Sequence, residues 1–108
     1  MNNIHEKTID IFNISEKNPL YINVQNLESH IEAQEYILSL NINWASGSII
    51  ALFKDVRIKY LVLTILFENT KSEMMSMQQT ILNIDKSENK NIIDFQAFKF
   101  LTYQLNGQ

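Results

Sequence analysis

The chain has 108 residues, a hydrophobic share of 45%, a charged share of 19% and a formal net charge of −3. That balance suits one domain with a single core, excludes a disordered polyelectrolyte, and offers no global attraction to nucleic acid or anionic lipid. With no cysteine, only His5 and His30 as histidines and only Gly47 and Gly107 as glycines, thiol catalysis, cysteine-held metals and a glycine-rich phosphate loop are excluded as well.

Taken in chain order, Met1 to Lys7 contains no basic segment leading into an apolar run, so no secretory signal is expected and the expected compartment is the cytoplasm. Thr8 to Ile14 alternates with period two through Ile9 and Ile11, which predicts a strand. Ser15 to Pro19 is a polar turn, and Leu20 to Val24 reads as a second strand with Leu20, Ile22 and Val24 on one face. Asn26 or Ser29 can cap a helix running to about Leu40. Ser29 and Glu32 have the spacing of a capping box, and Leu27, Ile31 and Leu38 share a face. Asn41 to Ser48 is a loop holding the lone tryptophan, Trp44.

Ile49 to Phe53 and Ile58 to Phe67 read as strands joined by a hairpin at Lys54 to Arg57. The second is apolar on both sides, about half the length of a membrane span, and belongs in the centre of a sheet with each face covered. Ser72 can cap a helix to about Ile84, with Met74, Met77, Ile81 and Ile84 on its apolar face. Asp85 to Asn91 is a charged loop. Ile92 to Leu105 accommodates either period. We read it as helix, since Asn91 can cap it, β-branched residues are scarce after Ile93 and Gly107 stops it. The sum is a single α+β domain over residues 1–108: a small, mainly antiparallel sheet with two to three packed helices.

The sharpest chemical pattern lies in the first of the helices expected from this reading. At about 100° per residue, Glu28, Glu32 and Glu35 fall within a narrow arc with Ser39 beside them. No lysine or arginine occurs between Leu20 and Phe53 to neutralise them, and like charges at this spacing cost a few tenths of a kcal/mol. The row reads either as a solvated helix face or as an acidic ridge that meets Lys or Arg on a partner. Trp44 follows in the adjacent loop. If exposed, it would anchor a partner beside Glu35 and Ser39; packed inward, it would be core.

The other polar residues carry weaker signals. His30 lies near the apolar side of the helix and reads as a half-buried, hydrogen-bonded side chain. His5, in the terminal segment, has no expected role. Asp85, Ser87, Asn89 and Asn91 alternate as in a Ca²⁺ loop, but position six lacks glycine and position twelve is Gln96. Neither a metal nor a cofactor is therefore expected. Lys54, Arg57 and Lys59 have no interleaved aromatics, which makes a weak nucleic-acid signal. Met74, Met75 and Met77 fit core filling.

Binding is thus favoured over catalysis. The 16 isoleucines, 13 asparagines and 8 lysines all use A/T-rich codons, as in an A/T-rich bacterial gene. In its size, acidity, this composition, and the Glu28, Glu32 and Glu35 row with Trp44 nearby, the chain resembles the immunity proteins of bacterial toxin–immunity pairs, including those of contact-dependent growth inhibition. The resemblance rests on character rather than a motif, so no residue role is carried over by position. It implies a protein that binds a cognate toxin domain, often a nuclease, and blocks its active site or substrate approach. Acidic residues would then occupy sites meant for phosphates. Two other readings stand beside it. One is a homo-oligomeric structural or regulatory module that buries the strand Ile58 to Phe67 and the C-terminal segment in a homodimer. The other is an enzyme using paired carboxylates alone, such as Glu28 with Glu32 or Asp55 with Glu68, for which an exposed helix row is the wrong environment.

Overall fold

The computed structural model describes residues 4–15, 17–25, 27, 29–45, 57–65, 75–80 and 91–106. The chain begins with a helix, α1 (Ile4–Phe12), where alternation predicts a strand. Thr8 is fully buried, and Ile9 and Phe12 lean on the core, while Glu6, Asp10 and Ile11 face out. That is helical spacing, and the outward Ile11 is what counterfeits period two. Asn13 then takes a left-handed conformation (φ 53°). Its N–H donates to the Asp10 carbonyl at 3.4 Å, and the Ile14 N–H donates to the Ile9 carbonyl at 3.0 Å. These two bonds are a Schellman cap, completed by the apolar pair Ile9 and Ile14 at the core. A tight turn follows, with Ser15 and Asn18 exchanging both backbone bonds.

Strand β1 (Leu20–Asn23) and helix α2 (His30–Ser39) lie where the sequence puts them. Strand β2 (Tyr60–Ile65) is the centre of the sheet, and all six of its residues are buried, as its two apolar sides require. The expected hairpin strand Ile49 to Phe53 lies outside the described residues. Strand β3 (Met75–Thr80) corrects the helix expected over Ser72 to Ile84. Methionine and glutamine favour helices, but β2 needs a partner on its free edge, and a six-residue ladder outweighs weak local propensity. Ile92 and Ile93 belong to strand β4 (Asn91–Asp94), and helix α3 (Phe95–Asn106) starts only at Phe95. Asn91 is therefore no helix cap; its side chain donates to the Phe12 carbonyl at 2.8 Å.

The sheet order is β3-β2-β1-β4. The β1–β2 and β2–β3 pairs are antiparallel and β1–β4 is parallel, so the sheet is mainly antiparallel, as expected, with one parallel pair, within an α+β fold. Register aligns Leu20 with Leu63, Ile22 with Leu61 and Leu63 with Met77. These residues make one face of the sheet, and Ala33 and Ile37 of α2 with its C-cap Leu40, Phe95 and Phe98 of α3, and Phe12 of α1 pack on it. The helices therefore share this face, and each turns its opposite side away from the core.

Candidate functional site

Helix α2 is positioned by its ends and by one face. Ser29 is extended (φ −145°, ψ 122°), and its hydroxyl accepts from the Ile31 N–H at 3.2 Å, which identifies the cap between the two options. At the far end Asn41 is left-handed (φ 65°), and its N–H donates to the Leu38 carbonyl at 3.0 Å. His5 of α1 reaches across to the Asn41 carbonyl at 3.0 Å with Nε2, so the segment expected to have no role supports the end of α2. His30, Ala33, Gln34 and Ile37 form the buried side.

Opposite that buried side, Glu32, Glu35 and Ser39 are exposed in one row. Glu28 lies outside the described residues. Among the described residues, neither Glu32 nor Glu35 makes an ion pair, and no basic residue occupies the last turn of α2. The Ser39 hydroxyl donates back to the Tyr36 carbonyl. Its remaining lone pairs therefore face outward as acceptors, like the two carboxylates. What this row offers is acceptors and negative charge on a rigid helix, which is suited to ammonium and guanidinium donors.

Trp44 is not part of that surface. It is only 4% exposed and belongs to the core cluster. The backbone of its segment runs along the outer edge of β3: the Met77 N–H donates to the Asn43 carbonyl at 2.8 Å, and the Ala45 N–H donates to the Met77 carbonyl at 3.0 Å. The segment thus covers part of a sheet edge while the indole fills the interior. The surface anchor allowed by the sequence is a core residue instead.

The exposed aromatic groups lie elsewhere. On α3, Phe95, Phe98 and Thr102 face inward, leaving Phe100 62% and Tyr103 72% exposed. The Tyr36 ring sits edge-on to Phe95 and Phe98, with centroids at 5.8 and 6.4 Å, and the Lys99 ammonium lies 5.7 Å from the centre of that ring. Tyr36 therefore links the two helices. Sequence reading missed Phe100 and Tyr103 because α3 is apolar nearly all round, so its core side could not be identified without the sheet beneath it. A shallow groove of about 420 Å³, lined by Lys7, Asp10, Ile11 and Leu105, separates α1 from the other flank of α3.

Among the described residues, the remaining candidates add no chemistry. His30 is buried, and its Nδ1 accepts from the Gln34 side-chain amide at 2.7 Å. Among the described residues no buried side-chain nitrogen or oxygen lacks a partner, and no group of three His, Asp or Glu residues could hold a metal. Asp55, Glu68 and most of the alternating loop from Asp85 lie outside the described residues. No described helix is long and apolar enough to cross a membrane. Comparison with protein-family models, curated proteins and solved structures finds no match to this chain.

Proposed function

We propose that this chain is a cytoplasmic immunity protein that binds a cognate bacterial toxin domain, a nuclease, and blocks its substrate surface with the acidic row of α2. One observation carries the reading. Glu32, Glu35 and Ser39 stand in line on the outward side of a helix clamped at both ends, with no ion pair to the carboxylates among the described residues. A solvated face would serve equally well with mixed charge; a one-signed row of fixed acceptors is what a phosphate-binding, basic surface would accept in place of its substrate. Glu28 precedes the Ser29 cap of α2, so the helical count that placed it in the row does not reach it; it is assigned to the same interface by its charge and its nearness in sequence alone. The carboxylates bind in this reading and catalyse nothing.

The test is co-expression with the product of the gene immediately upstream, followed by affinity purification and native mass. The expected result is a stable one-to-one complex, with growth arrest when the neighbour is expressed alone. A neighbour that neither binds nor arrests growth removes the reading.

A further inference from the structure

We propose that the outward face of α3 docks against the same face of a second copy of this chain, giving a weak two-fold homodimer centred on Phe100. This does not rest on the immunity reading, and it leaves the acidic row of α2 free.

The exposed residues of that face are Gln96, Ala97, Phe100, Tyr103 and Gln104, all uncharged. Lys99 flanks them, its ammonium held over the Tyr36 ring. An acidic protein of net charge −3 repels its own copy wherever carboxylates meet, and the exposed residues of α3 include none.

A two-fold contact must also be self-complementary. With two α3 helices antiparallel about Phe100, the Phe100 rings meet on the axis. Ala97 then faces the partner's Tyr103, a small side chain opposite a large one. Gln96 faces the partner's Gln104, an amide opposite an amide, and each can donate to the other. Helices at contact distance need this alternation of small and large side chains to interdigitate.

The available area sets the strength. Aromatic side chains offer on the order of 200 Å² each, so rings that are 62% and 72% exposed provide well under the ~800 Å² per partner of a standard interface. The dimer therefore belongs to the weak, concentration-dependent class.

Sedimentation equilibrium from about 10 μM to about 1 mM brackets such affinities. The average mass of the wild type is expected to rise with concentration. Phe100→Glu should remain monomeric throughout, and Glu35→Lys should behave as wild type. Each substituted side chain is exposed, and an unchanged thermal midpoint verifies folding. A wild type that stays monomeric, or a Phe100→Glu variant that associates equally well, overturns the proposal. The pairing is read separately, because the chain contains no cysteine of its own. Gln96→Cys mixed with Gln104→Cys should form a disulfide under copper-catalysed air oxidation many-fold faster than either variant alone. Equal rates would overturn the antiparallel register.

Discussion

The Tyr36 hydroxyl stands 2.7 Å from Oγ1 of Thr102, tying the helix with the acidic row to the helix with the exposed aromatics. Each hydroxyl also has a carbonyl acceptor on α3, Thr102 that of Phe98 at 2.8 Å and Tyr36 that of Lys99 at 3.3 Å, so either one can be the donor between them. Around this bond the Tyr36 ring keeps its edge contacts with Phe95 and Phe98. Tyr36→Phe retains the ring and removes only the hydroxyl's bonds to Thr102 and the Lys99 carbonyl. We expect urea denaturation to register a loss of about 1 kcal/mol with an unchanged slope, because Thr102 keeps its bond to Phe98.

Asn13 and Asn41 do the work that glycine does at many helix ends. Each is left-handed, and each precedes a buried isoleucine, Ile14 or Ile42. Glycine at either site should leave stability within about 0.5 kcal/mol of wild type, whereas alanine should cost about 1 kcal/mol, because it keeps the Cβ that crowds this conformation and loses the short amide that lets asparagine adopt it. Thermal unfolding of the four single variants checks the pattern. Equal effects of glycine and alanine would mean that the left-handed backbone at these two sites imposes no cost on a Cβ.

Trp44 is the only tryptophan, so its fluorescence reports one site. Buried in the core, it should emit to the blue of the unfolded chain and resist quenching by iodide. Trp44→Ala should destabilise the fold by roughly 3–5 kcal/mol, as large-to-small core changes do. Free quenching in the folded protein would place the indole at the surface.

What could be read from the sequence depended on whether a segment's partners were local. Strand β2 was legible because it is apolar on both sides, and α2 because Ser29 caps it, although its buried side is His30, Ala33, Gln34 and Ile37 and the expected face of Leu27, Ile31 and Leu38 is only half-buried. The exposure of Glu32, Glu35 and Ser39 followed from their helical spacing and their polarity. Segments with ambiguous periods failed. In α1 the face of His5, Thr8, Ile9 and Phe12 was available at helical spacing, but the exposed Ile11 supported alternation. In β3, Met75 to Thr80 has helix-forming residues, and only the unpaired edge of β2, distant in sequence, makes them a strand. Trp44 was undecided for the same reason, since its place is fixed by Met77, far along the chain.

The acidic row of α2 is proposed to bind a basic partner surface. The most direct test is calorimetric titration of the cognate toxin domain with wild type and with Glu32→Lys/Glu35→Lys, alongside urea denaturation of both. Reversing two exposed charges should leave folding stability within about 0.5 kcal/mol, while affinity should fall by ~100-fold or more, and wild-type binding should weaken as salt is raised. A doubly reversed protein that binds as tightly as wild type, with no dependence on salt, would contradict the account.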